Sequence, residues 1–218
     1  MNTHPDAVTV LCYGDSNTWG QRPEKKGGRF PSNVRWPGKL QDILGDDYYV
    51  IEEGLNSRTT DLEYYKKPGR NGKTYLIPCI ESHRPIGIVA IMLGTNDLKT
   101  TFGRSATDVA EALRGLVRDV RETAVDKEGK IPRIILISPI LIDDTAELFS
   151  MFYAENYSHE AVMKSQDLAG EIQKVANEEA CFFIDAASVA EPGVDGIHFK
   201  KESHPALATL VAKTISAP

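Results

Sequence analysis

Five short apolar runs, each of strand length and rich in β-branched or aromatic residues, constrain this chain more than any other feature. They lie at 7–13 (AVTVLCY), 48–52 (YYVIE), 86–93 (IGIVAIML), 133–138 (RIILIS) and 181–184 (CFFI). Runs that are apolar on both faces belong in a parallel sheet covered by helices. The stretches between them read as helix. Residues 105–125 place Val109, Leu113, Leu116, Val117 and Val120 on one stripe, with Arg and Glu opposite. Helical patterns at 35–44, 155–179 and 203–215 complete the set. Strands alternating with helices specify βαβ units and a doubly wound parallel sheet of the α/β class.

No internal repeat, low-complexity linker or shift of composition divides the 218 residues, so one domain over 1–218 is expected. The net charge is -6 and the basic runs are pairs: Lys25-Lys26, Lys66-Lys67 and Lys200-Lys201. Such pairs read as solvated loop, and the acidic balance argues against a nucleic-acid partner. The apolar runs are far shorter than a membrane span. The polar start shows no charged-then-apolar leader pattern, so a cytoplasmic protein with no membrane partner is expected. Three scattered cysteines, Cys12, Cys79 and Cys181, form neither a metal knuckle nor a disulfide framework. Cys12 and Cys181 read as core thiols.

In open parallel sheets function collects at the carboxyl ends of the strands. The first run is followed by Gly14-Asp15-Ser16-Asn17-Thr18, and the second by Glu53-Gly54-Leu55-Asn56-Ser57-Arg58-Thr59-Thr60. The third leads into Gly94-Thr95-Asn96-Asp97, and the fifth precedes Asp195-Gly196-Ile197-His198. A serine becomes a nucleophile when a base takes its proton and a carboxylate orients that base. Asp195 and His198 are close enough for the carboxylate to hold the imidazole, whose far nitrogen then serves Ser16. Spacing alone equally admits a loop aspartate and a surface histidine. Acyl transfer also needs donors for the developing oxyanion, commonly worth about 3 kcal/mol each. Asn96 is a candidate donor or a simple turn residue; the amides of Ser16 and of the loop after the second run are others. His204 has no partners at metal spacing and reads as opening the last helix.

Taken together, Gly14-Asp15-Ser16, Gly94-Thr95-Asn96-Asp97 and Asp195-Gly196-Ile197-His198 resemble the blocks of the SGNH-hydrolase, or GDSL-esterase, family. The resemblance runs from Val10 to about Leu210 and implies a three-layer, flavodoxin-like fold with a five-stranded parallel sheet flanked by helices. It implies Ser16 as nucleophile, His198 as base, Asp195 as its orienting acid, and Asn96 with the Ser16 amide as oxyanion donors. Asp15 and Asp97 then organise loops. The family's second-block glycine falls on Ser57, so the remaining donor is assigned to the Ser57 amide and Gly54 is a turn glycine. The blocks Gly14–Gly20, Glu52–Thr60, Met92–Lys99 and Val194–Phe199 look like the bacterial arylesterase and acyltransferase subgroup. That likeness implies small esters, water or alcohol acceptors, perhydrolase side activity, a homo-oligomer, and neither metal nor organic cofactor. The expected pocket residues are Asp15, Trp19, Leu55, Lys99 and Phe152, with the Phe149–Phe152–Tyr153 cluster either a channel wall or plain core.

Two rivals remain. A carbohydrate O-acetyl esterase needs the same triad with a wider, more polar mouth. A non-catalytic flavodoxin-like binding protein needs a phosphate loop after the first strand, yet neither GK[ST] nor GxGxxG stands there. The GxSxG elbow of the α/β-hydrolases is also missing around Ser16.

Overall fold

The computed structural model of the chain describes residues 3–217. The apolar runs become β1 (Val8–Gly14), β2 (Tyr48–Gly54), β3 (Ile88–Met92), β4 (Arg133–Ser138) and β5 (Phe182–Asp185). All neighbouring pairs are parallel, in the order β2-β1-β3-β4-β5. The helices are α1 (Ser16–Trp19), α2 (Trp36–Leu44), α3 (Gly72–His83), α4 (Ala106–Thr123), α5 (Phe149–Phe152), α6 (His159–Glu178) and α7 (Ser203–Ser216).

Successive side chains of a strand point to opposite faces, and here both faces are buried. Leu11, Tyr13, Val89, Ile91, Ile134 and Leu136 pack into one apolar cluster with α3, α4 and α6. Val10, Cys12, Ile88, Ala90, Met92, Ile135 and Ile137 pack into a second with α2 and α7. Each fully buried aliphatic side chain contributes about 1.5–3 kcal/mol. The stripe read on 105–125 is the buried face of α4, whose start is set by Ser105. Its hydroxyl accepts from the Asp108 N–H while the Asp108 carboxylate takes the Ser105 N–H, a reciprocal cap.

The sequence reading assigns no helix to α3, and the reason is visible. Gly72, Leu76, Cys79 and Ile80 are buried, but Tyr75 and Ile77 are exposed on the other side and Pro78 interrupts the middle. An apolar stripe blurred in this way carries little periodicity. Cys181 is half-buried rather than fully in the core. No helix among the described residues is long and apolar enough to cross a membrane.

The strand order places the site. The chain starts in the sheet interior, steps out to β2, then passes back across β1 to β3. The connections after β1 and β3 therefore diverge, leaving a crevice at the carboxyl end of the sheet. Ser16 follows β1 and Asn96 follows β3, one on each side of it.

Candidate active site

Ser16 opens the short helix α1 and is buried. The Asp15 side chain caps that helix by accepting the Asn17 N–H at 2.9 Å. The Ser16 N–H lies in the first turn, where no intrahelical partner exists, and it has no partner among the described residues.

The histidine loop meets this turn from the far end of the chain. His198 Nε2 is 2.8 Å from Ser16 Oγ, and His198 Nδ1 is 2.6 Å from Asp195 Oδ2. Asp195 Oδ1 accepts the backbone N–H groups of Ile197 at 3.1 Å and His198 at 2.9 Å. The carboxylate is thereby fixed on both oxygens. The turn requires Gly196, whose φ is +75° and where a Cβ would fall 2.0 Å from the Asp143 carbonyl oxygen. Asn17, which sequence reasoning missed, ties the two segments together. Its Nδ2 donates to the Ile197 carbonyl at 3.1 Å and its Oδ1 accepts the Phe199 N–H at 2.8 Å, so one amide grips the chain on both sides of His198. Its place beside Ser16 was the only available signal.

Asn96 sits in the 3₁₀ turn Thr95–Leu98. Its Nδ2 donates to Asp15 Oδ2 at 3.2 Å and its Oδ1 accepts from Lys99 Nζ at 2.6 Å. These two bonds orient the amide and leave its second N–H unused. Lys99 is buried, with its amine 4.5 Å from the Tyr64 ring centroid. Desolvation, with a lesser push from Lys67, lowers its pKa to about 8. Burial raises the Asp15 carboxyl above its ordinary value. Asp97 lies beneath: its carboxylate accepts from Thr60 N and from Thr60 Oγ, the latter at 2.5 Å, joining the loop after β2 to the turn after β3. Burial raises that carboxyl to about 6.

The loop after β2 keeps the conformation that glycine favours although serine occupies it. Ser57 has φ 68°, a left-handed backbone that costs a non-glycine residue about 1–2 kcal/mol. Its N–H has no partner among the described residues, and its Oγ accepts from Lys67 Nζ at 3.1 Å. The buried Arg58 braces this loop by donating to the carbonyls of Gly14, at 2.9 Å, and of Glu53, with its guanidinium 4.1 Å over the Tyr13 ring.

A cleft of about 430 Å³ opens over Ser16, Ser57, Asn96 and His198. Lys99 and Phe152 line it. Asp15, Trp19 and Leu55 do not. Asp15 is turned beneath the floor toward Asn17 and Asn96. Trp19 stacks against the Arg29 guanidinium at 4.9 Å. Leu55 faces a separate cleft with Arg58 and Tyr75, and the neighbouring Gly54 backbone packs so tightly on Trp19 that a Cβ there would be 2.1 Å from the Trp19 nitrogen. The aromatic cluster divides: Phe149 is core, while Phe152 and Tyr153 are wall. Tyr64 and Tyr157 add two further aromatic walls. The basic pairs Lys25-Lys26 and Lys66-Lys67 are exposed loop, as the sequence suggests, and Lys26, Lys66 and Lys67 also line the cleft, where the loops after β1 and β2 converge.

A second cluster, Glu53, Cys79 and His83, brings three ligand-type atoms within 4.8 Å of one another. Burial pushes the Cys79 thiol up to about 12, which keeps it protonated. Glu53 and His83 pair at 3.1 Å. His204 lies in the first turn of α7, fully buried, and accepts the Trp36 N–H at 3.2 Å.

Comparison with known proteins gives the family and the fold. The model of the GDSL-like lipase/acylhydrolase family matches residues 12–205. An aryl esterase from M. smegmatis, solved with an inhibitor, is 35% identical, with 96% of this chain and 98% of that chain aligned and a TM-score of 0.88. A carbohydrate acetylesterase from Sinorhizobium meliloti is 32% identical over 96% of this chain and 98% of its own, also with a TM-score of 0.88. An acetylxylan esterase from Xylanibacter ruminicola is 27% identical over 151 residues, 62% of this chain but only 29% of that enzyme's length. The match spans nearly the whole sheet and every block around the cleft, and the chain belongs to the GDSL-like lipase/acylhydrolase family.

Proposed function

We propose that this protein is a serine esterase that cleaves small, short-acyl carboxylic esters through an acyl-enzyme on Ser16. The observation that carries the reading is the unbroken hydrogen-bond chain from Asp195 through His198 to Ser16, set beside the oriented Asn96 amide. His198 Nε2 takes the Ser16 Oγ proton as Oγ attacks the ester carbonyl carbon. The oxyanion accepts from the Ser16 and Ser57 N–H groups and the unused Asn96 N–H. His198 then returns its proton to the departing alkoxide. Water, activated by the same nitrogen, releases the acid and restores Ser16. Asp195 holds the imidazolium throughout without taking the proton. An alcohol or peroxide in place of water gives acyl transfer or a peracid, and the aromatic walls Tyr64, Phe152, Tyr153 and Tyr157 support such side activity by limiting water.

Self-association belongs to the same reading. Tyr65 and Met151 are 72% and 73% exposed, and a second copy seated over them would remove their apolar surface from water. A second substrate reading, carbohydrate O-acetyl esters, is favoured by the amides Gln21, Asn56 and Asn156 in the lining.

Hydrolysis of a short-chain aryl acetate by the wild type and by Ser16→Ala, both checked for folding, tests the reading. Turnover by the wild type and a loss of about 10³-fold or more in kcat/KM in the variant are expected. Equal rates remove Ser16 from the reaction.

A further inference from the structure

We infer that the preferred substrate carries a negative charge, a carboxylate or a phosphate on its acyl or its alcohol part, held by Lys26, Lys66 and Lys67. The inference rests on the esterase reading and names the substrate class within it.

The charge distribution is the first observation. The chain as a whole has a net charge of -6, yet the cleft lining collects Lys26, Lys66, Lys67 and Lys99 against the single acid Glu155. Lys99 is offset from below, since its charge is favoured by the buried Asp15 and Asp97. The other three have no such offset. Among the described residues no carboxylate lies within 4.0 Å of any of their amines, whereas Lys39, Lys73, Lys130, Lys164, Lys174 and Lys200 each have one. Lys25, Lys127, Lys201 and Lys213 also lack one but lie outside the cleft lining, so it is the gathering of three such amines at one cleft that counts.

Their placement is the second observation. Lys67 Nζ is 3.1 Å from Ser57 Oγ, next to the amide assigned to the oxyanion. Lys26 Nζ lies 5.8 Å from the ring centroid of Phe152, another residue of the cleft lining. Lys66 Nζ lies 5.9 Å from that of Tyr65. These amines also feel one another. The Lys67 pKa is lowered by desolvation and then by Arg70 and Lys26, and the Lys99 pKa by Lys67 and Lys66. Like charges gathered around a cleft cost free energy that a bound anion recovers, and a cleft lined by one sign raises the local concentration of the opposite ion. A neutral ester uses none of this.

The test compares matched ester pairs with the whole chain. Monophenyl glutarate against phenyl pentanoate places the charge on the acyl part. 4-Acetoxybenzoate against 4-acetoxybenzamide places it on the alcohol part. Rates are normalised to each ester's hydroxide-catalysed hydrolysis. At low salt, kcat/KM for the anionic member of at least one pair is expected to be higher by about tenfold or more. Which pair shows it identifies the part that carries the charge. That ratio is expected to fall toward one as salt rises from about 10 mM to about 500 mM. In a folded Lys26→Gln/Lys66→Gln variant the ratio is expected to collapse at low salt. Turnover of all four esters with ratios near one, or ratios indifferent to salt and to the double substitution, overturns the inference and leaves the esterase reading standing. No turnover of any ester overturns both.

Discussion

At the scale of single residues, the proposed reaction depends on backbone donors that the sequence names only indirectly. Ser57 stands in a left-handed conformation with φ 68° and an N–H that has no partner among the described residues. If the amide alone matters, Ser57→Gly keeps the donor in a conformation glycine adopts at no steric cost, and kcat/KM on an aryl acetate stays within a few-fold of wild type. Ser57→Pro fixes φ near about −65° and removes the N–H, so kcat is expected to fall by about 10²-fold or more. A side-chain role for Ser57 gives the reverse order, with the glycine variant as damaged as the proline one. Ser16, Asn96, Asp195 and His198, which the structure brings together at one end of the sheet, could be picked out because each candidate role is tied to a residue type. Asp15, Trp19 and Leu55 were misplaced as pocket walls because chain adjacency to a functional residue does not give side-chain direction. Near Ser16 the turn sends Asp15 under the floor and Trp19 outward.

At the scale of elements, the decisive contact joins the turn at the start of α1 to the loop before α7, 180 residues apart in sequence. Asn17→Ala leaves the Phe199 N–H and the Ile197 carbonyl without their buried partner, a cost of about 1–3 kcal/mol in stability. Because those groups flank His198, kcat is expected to drop by about tenfold or more while KM changes little. Chemical denaturation with steady-state kinetics checks both, and an unchanged kcat in a destabilised protein makes Asn17 structural only. The strands and α4 were readable from the sequence because burial on both faces, or on one clean stripe, leaves a strong pattern. α3 was not, since its exposed Tyr75 and Ile77 and its interior Pro78 hide the buried stripe. The convergence of the Lys26 and Lys66-Lys67 loops is a property of sheet order, which no local pattern encodes.

At the scale of the whole molecule, the layer formed by α2 and α7 is closed over a neutral histidine. His204 packs edge-on against Phe30 and Phe199, with ring centroids at 5.3 and 5.2 Å, and its Nε2 has no hydrogen-bond partner among the described residues. Desolvation, with help from the Arg35 charge, lowers its pKa from 6.5 to about 4. Between those values the unfolded chain binds the proton and the folded chain does not, so this contribution to stability is full above the unfolded value and is lost as pH falls toward the folded one. His204→Asn keeps an acceptor for Trp36 and cannot titrate. The stability of the wild type relative to that variant is expected to fall by about 3 kcal/mol from about pH 7 to about pH 4. A difference independent of pH assigns the acid sensitivity elsewhere. The cleft itself follows from the sheet: its order opens a crevice, and the loops after β1, β2 and β3 and the histidine loop before α7 deliver one part of the chemistry each. What joins those parts in the proposed reaction is an acyl-enzyme on Ser16, and it can be weighed directly. Wild-type protein quenched in acid during turnover of an aryl acetate, then analysed by intact mass and peptide mapping, is expected to carry one acetyl group, on Ser16 and on no other residue. Burst release of the phenol with Ser16 unmodified, or an acetyl group mapped to another side chain, is incompatible with Ser16 as the nucleophile.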